Sequence, residues 1–113
     1  DRALLLALQG RLAYESGQLA EAQGLGEASL ESNSHCAAGH LLLALLASES
    51  RQSPLEHLQR AIEGARPEAE AFARLAVSEG ATPTGCAHAR RYLRAAPQGP
   101  DARSVNRLLS QCP

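Results

Sequence analysis

Cysteine and histidine are the residues in this sequence whose side chains could bind a metal ion or act as nucleophiles. Cys36 and His40 are four residues apart, a spacing that places both side chains on one face of a helix. Cys86 and His88 form a second group farther along the chain. A structural zinc site needs four ligands and usually contains closely spaced cysteine pairs, and no C-x-x-C motif is present. We therefore predict no metal site.

These residues also lack the neighbours that enzymatic chemistry requires. A Cys/His nucleophile needs a third group that orients the histidine and a donor for the oxyanion, and the sequence indicates neither. It also contains no glycine-rich phosphate loop and no paired-carboxylate motif. We expect a protein that is not an enzyme and has no cofactor, in which His40 is a buried or groove-facing histidine.

The composition of the chain predicts an all-α fold. Among 113 residues there are 22 Ala and 19 Leu, against two Val and one Ile. Alanine and leucine are strong helix formers, whereas β-branched residues favour strands. The net charge is −1 with both signs interspersed, so nucleic acid is not an expected partner. No stretch approaches the roughly 20 apolar residues of a membrane span, so direct membrane insertion is not expected.

Start and stop signals divide the sequence into seven predicted helices. They cover approximately residues 1–15, 19–31, 36–47, 54–64, 67–80, 82–95 and 101–111. Asn33 or Ser34 is predicted to cap the third helix, and Ser53-Pro54-Leu55-Glu56 matches a capping box. Gly17 and Gly80 are predicted to end the first and fifth helices, and Thr82-Pro83 is predicted to open the sixth. Connections of about two to five residues would place successive helices antiparallel.

The predicted core follows from the apolar positions of these helices. The third helix is apolar nearly all round, which indicates that it is covered on more than one side. We expect eight side chains to be buried: Leu12, Ala22, Leu41, Leu45, Leu58, Ala61, Phe72 and Leu75.

Residues in the first third of the chain recur at a fixed interval. Gly10, Gly17, Ala22 and Leu30 have weaker counterparts about 31 to 32 positions farther on. A period of this size is typical of stacked helical hairpins. The stretch Leu6, Gly10, Tyr14, Gly17, Glu21, Ala22, Leu30 resembles one tetratricopeptide repeat, and residues 91–101 are similar to the end of the last repeat and the start of the solvating helix in many bacterial members.

The resemblance implies a single domain over residues 1–113. Its fold would be a right-handed α-α superhelix of three antiparallel helical hairpins, with units of about 3–34, 35–66 and 66–97. A C-terminal capping helix would follow at 101–111.

Tetratricopeptide arrays usually act as scaffolds that bind a peptide or a partner helix in a concave groove. Projection of the family's groove-lining pattern selects Leu8, Arg11, Tyr14, His40, Leu43 and Arg74. The resemblance thus implies a non-enzymatic scaffold with a protein or peptide partner. A structural spacer or an oligomerisation module without a specific groove ligand is the alternative, and the sequence leaves the oligomeric state open.

Cys86 and Cys112 lie almost equally far on either side of the predicted turn at Gln98 and Gly99. If the last two helices are antiparallel, both cysteines lie at the same end of the pair, within reach of a disulfide. We predict this bridge, with Cys36 as a free buried thiol. A disulfide implies an oxidising compartment, so the expected location is a bacterial periplasm or another exported one, whereas reduced cysteines would leave a cytoplasmic location open.

Overall fold

All regular structure in the computed structural model, which describes residues 1–113, is helical. The seven helices are α1 (Arg2–Glu15), α2 (Leu19–Ser32), α3 (Ala37–Glu49), α4 (Leu55–Ala61), α5 (Ala69–Glu79), α6 (Pro83–Ala95) and α7 (Ala102–Leu109). No strand is present, which confirms the predicted all-α class. None of these helices combines the length and the apolar character that a membrane span requires. The chain divides into two compact units, Asp1–Pro67 and Glu68–Pro113.

Several predicted helix ends are confirmed by their backbone geometry. The Thr82 hydroxyl accepts a 3.0 Å hydrogen bond from the Gly85 N–H, and Pro83 occupies the first turn of α6. Gly17 and Gly80 have φ values of 81° and 70°, the left-handed region that favours glycine after a helix. Thr82 and Pro83 therefore begin α6, and Gly17 and Gly80 follow the ends of α1 and α5, as predicted from the sequence.

The capping box predicted at Ser53 is wrong. Helix α4 begins at Leu55 with Pro54 as its N-cap, and no side chain caps it. The Ser53 hydroxyl accepts only a long 3.4 Å hydrogen bond from the Leu55 N–H, so it closes a local turn instead. The helix ends at Ala61 and not near Gly64, which leaves a seven-residue connection where the predicted limit is about five. This connection includes the boundary between the two units.

The predicted cap of the third helix is also wrong. Cys36 is the N-cap of α3, and its side chain makes no capping hydrogen bond. The Asn33 Oδ1 atom accepts a 3.0 Å hydrogen bond from the His35 N–H. Asn33 therefore stabilises the turn between α2 and α3, because its short side chain reaches the backbone two residues on.

In the first unit, small residues of α1 face a leucine-rich α3. Helix α1 packs on both α2 and α3, and α3 packs on α4. The buried residues of α1 are all alanine or glycine, namely Ala3, Ala7, Gly10 and Ala13. Residues 41–46 of α3 are all buried, which confirms that this helix is covered on more than one side. Small side chains on α1 let the larger ones of α3 fill the space between the helices.

Seven of the eight predicted core residues are buried, and Leu12 is the exception. Its side chain is 68 % exposed, so the prediction for Leu12 is wrong. The reason is the rotation of α1, which directs its small residues inward and leaves leucines outside.

The second unit is joined by a disulfide and by a buried tyrosine. Helix α6 packs on both α5 and α7. Cys86 and Cys112 form the predicted disulfide, with their Cα atoms 6.1 Å apart, and Cys36 is free and buried. Tyr92 is only 2 % exposed, and its hydroxyl accepts a 3.0 Å hydrogen bond from the Asp101 N–H. Both contacts hold the C-terminal segment against α6.

Candidate functional site

Helix α1 carries a stripe of exposed leucines. Leu5, Leu8 and Leu12 are 57 %, 52 % and 68 % exposed. Their spacing of three and four residues places them on one side of the helix. We call this surface the leucine face of α1. A single exposed leucine needs no explanation, but three in a row on one helix form a continuous apolar surface.

A cavity of about 460 Å³ adjoins one end of the leucine face. Leu12 and Ala13 of α1 and Leu25 of α2 form its apolar wall. Gln9 and Glu21 supply polar groups at its edge. The cavity lies within the first unit and has room for a bulky side chain of another molecule.

Leu8, Arg11 and Tyr14, three of the predicted groove residues, lie together on α1. The Arg11 Nε atom donates a 3.0 Å hydrogen bond to the Glu15 carboxylate, and its guanidinium lies 6.0 Å from the centre of the Tyr14 ring. The Tyr14 hydroxyl donates a 3.0 Å hydrogen bond to the Glu49 carboxylate of α3. These contacts order the polar border of α1 beside Leu8.

The other predicted groove residues lie elsewhere. His40 and Leu43 of α3 are only 9 % and 8 % exposed. Leu43 belongs to a buried cluster with Ala13 and residues of α2 and α3. Arg74 is exposed on α5 in the second unit, where its Nε atom donates a 3.0 Å hydrogen bond to Glu70. Of the predicted groove residues in the first unit, only the three on α1 are therefore accessible at the surface.

His40 is paired with a histidine that the sequence did not single out, His57 of α4. The Nδ1 atoms of the two rings are 3.0 Å apart, and the His40 Nε2 atom lies 2.8 Å from the Ser34 carbonyl oxygen. Since a carbonyl only accepts, His40 Nε2 carries the proton and donates to it. In the neutral form of His40, Nδ1 is then the acceptor, and His57 Nδ1 donates. Burial lowers the pKa of His57, with a further lowering from nearby His40 and an opposing effect of Glu56.

A second cavity, of about 330 Å³, lies between α2 and α4 with α3 beneath it. We call it the α2–α4 cleft. Its apolar floor consists of Leu43, Leu46 and Ala47. Glu27 of α2 and Glu56 of α4 line it as well, and His57 lies in the same wall as Glu56. Amide and hydroxyl groups complete the lining, contributed by Gln23, Ser50, Gln52 and Ser53.

The structure separates the cysteine and histidine pairs that the sequence suggested. Cys36 packs against Ala3 and Ala7, while His40 bonds to His57. Cys86 is held in the disulfide, and the His88 Nδ1 atom donates a 2.5 Å hydrogen bond to the Glu79 carboxylate. No group of three or more histidine, cysteine, aspartate or glutamate side chains is arranged to hold a metal ion. The four side chains of the two suggested pairs therefore each have a different structural partner.

Sequence reasoning missed Leu5 and Leu12 as surface residues, and of the residues that line the α2–α4 cleft it selected only Leu43. The sequence did indicate the leucine face, because the leucines of α1 lie on more sides of the helix than the one side that packs in the core. The cleft had no sequence signal, because it depends on the separation of two helices. Comparison with protein-family models, with curated proteins and with solved structures finds no match to the chain.

Proposed function

We propose that this protein is a non-enzymatic interaction scaffold that binds a helix of a partner protein on the leucine face of α1. The observation that carries the proposal is the exposure of Leu5, Leu8 and Leu12 on one side of a well-packed helix. Full burial of an exposed leucine contributes about 1.5–3 kcal/mol, and roughly half of this remains available for each of these partly exposed side chains. Three adjacent leucines therefore provide a strong apolar attraction for a second surface.

The shape of this surface favours a helical partner with one large apolar side chain. An amphipathic helix presents apolar residues at the same three- and four-residue spacing as Leu5, Leu8 and Leu12. The cavity beside Leu12 would receive a bulky side chain between α1 and α2. Arg11 and Glu15 border the face and would contribute polar contacts at its rim, where such contacts add specificity more than affinity.

Affinity capture from an extract of the source cells tests the proposal. The bait is the whole chain, and the test variant is Leu8→Glu/Leu12→Glu, which places two charges on the leucine face. Val77→Glu is the matched control, because Val77 is 63 % exposed on α5 in the other unit. Circular dichroism and thermal melts verify that all three proteins fold equally well.

The expected result is a partner retained by the wild-type chain and by Val77→Glu, and reduced at least about tenfold by the double variant. Such a loss corresponds to about 1.4 kcal/mol, which the burial of two half-exposed leucines can supply. Equal recovery by all three baits contradicts the proposal.

The same leucine face supports a second candidate function, oligomerisation, in which another copy of this chain covers it. Light scattering of the purified protein separates the two functions. A dimeric mass for the wild-type chain and a monomeric mass for Leu8→Glu/Leu12→Glu would assign the face to self-association. A monomeric mass for both would leave the face to a different protein.

A further inference from the structure

The α2–α4 cleft combines an apolar floor with carboxylates from two helices. Leu43, Leu46 and Ala47 form the floor, while Glu27 and Glu56 come from α2 and α4. The cleft belongs to the first unit and shares no lining residue with the cavity beside Leu12. We infer that it binds the cationic side chain of an arginine or lysine in a partner peptide.

The two parts of such a side chain match the two parts of the cleft. Arginine and lysine have an aliphatic stem that packs on apolar surface and a charged end that stays near polar groups. The floor would contact the stem, and Glu27 and Glu56 would meet the charge. The volume of about 330 Å³ is sufficient for one such side chain and part of its backbone.

The charges around the cleft also favour a cation. No arginine lines it, and Glu27 and Glu56 are both exposed, whereas Glu15 and Glu70 are already paired with arginines. The ionisable groups around His57 are His40, Glu56 and, across the cleft, Glu27. Burial and His40 lower the pKa of His57, which favours the neutral imidazole, and a neutral ring does not repel a cation.

Peptide titration followed by NMR on the full-length chain tests this inference. The probes are acetyl-Leu-Arg-Leu-amide, its lysine counterpart and acetyl-Leu-citrulline-Leu-amide, in which citrulline has the shape of arginine without its charge. We expect chemical-shift changes at Glu27, Leu46 and Glu56. The arginine or lysine peptide should bind at least about fivefold more tightly than the citrulline peptide, as two solvent-exposed carboxylates would contribute.

Two controls make the test specific. Glu27→Gln/Glu56→Gln should reduce binding of the cationic peptides to the level of the citrulline peptide, while Glu63→Gln, an exposed carboxylate of the same unit outside the cleft, should have no effect. Binding of the arginine peptide should also lower the titration midpoint of His57 further, because a nearby cation disfavours the protonated ring. Equal binding of the citrulline peptide, absence of binding by both cationic peptides, or shifts confined to the leucine face would each overturn the inference.

Discussion

The Nδ1 atoms of His40 and His57 lie 3.0 Å apart, so that a single hydrogen bond between two imidazoles joins α3 to α4. The bond requires that one of these nitrogens lacks a proton, and in neutral His40 the hydrogen bond from Nε2 to the Ser34 carbonyl assigns that role to His40 Nδ1. If both rings were protonated, two N–H groups would face each other. The connection between α3 and α4 therefore depends on pH.

We predict that the stability of the protein decreases as the pH falls below about 6.5, the ordinary pKa of histidine. The pKa of His57 is lowered in the folded state, so the unfolded chain binds more protons in this range. The contribution of His57 is complete above about pH 6.5 and is lost as the pH falls through the lowered folded-state pKa. Urea unfolding at pH 7.5 and 5.5 measures the change.

In His57→Gln the decrease between these two pH values should be smaller, because the amide keeps a donor for His40 but does not titrate. His35→Gln, at an exposed position, should behave like the wild-type chain. If His57→Gln loses as much stability between the two pH values as the wild-type chain does, His57 is not the cause of the decrease.

Leu42 should be a major contributor to the stability of the first unit. It is 1 % exposed and packs in a cluster with Ala13 and Ala22. Leu42→Ala should reduce the free energy of unfolding by about 2–5 kcal/mol, because a cavity remains where the side chain was. Leu5→Ala is the matched control, and its effect should be within about 0.5 kcal/mol since Leu5 is exposed. Similar losses for both variants would show that Leu42 is not packed as described.

Two glycines in helices should respond oppositely to the same substitution. A Cβ atom at Gly10 would collide with the Leu42 side chain and lie 3.1 Å from the Leu25 Cβ atom, whereas nothing lies within 4 Å of one at Gly24. Gly10→Ala should destabilise the protein by about 1–3 kcal/mol, and Gly24→Ala should stabilise it by about 0.5–1 kcal/mol. Thermal unfolding of both variants measures this. A stabilising effect at Gly10 would rule out the close approach of α1 to α3.

Removal of the Cys86–Cys112 disulfide should destabilise the second unit by about 3 kcal/mol, the value expected for a closed loop of this length. Cys86→Ser/Cys112→Ser and the reduced wild-type chain should unfold at similar, lower temperatures. Alkylation of the denatured, unreduced protein should label only Cys36. Three labelled cysteines in protein isolated from its native compartment would exclude both the disulfide and the exported location proposed from it.

The sequence predicted the class of the fold well because local chemistry decides it. Alanine and leucine content, the Thr82-Pro83 start and the glycines after α1 and α5 act through a few adjacent residues. The capping box predicted at Ser53 does not form because Pro54, the next residue, is the N-cap of α4. Its failure shows that a capping motif predicts a helix start to within a few residues and does not determine which hydrogen bond forms.

The candidate sites were less predictable because they depend on how helices are rotated and separated. Neither its residue type nor its place along α1 distinguishes Leu12 from a core leucine. Only the rotation of α1 places its side chain on the surface. Likewise, Glu27 and His57 are 30 residues apart and line the same cleft only because α2 and α4 flank α3. The disulfide was predictable because its two cysteines are related by one short turn.

Site-specific photocrosslinking determines whether a partner protein binds on the leucine face of α1. The photoreactive residue p-benzoylphenylalanine replaces Leu8 in the whole chain, and Val77 in a control chain. After irradiation in an extract of the source cells, mass spectrometry identifies the adducts. We expect a protein that is crosslinked at position 8 through residues of an amphipathic helix and is not crosslinked at position 77. The same adducts from both positions, or none from position 8, would contradict it.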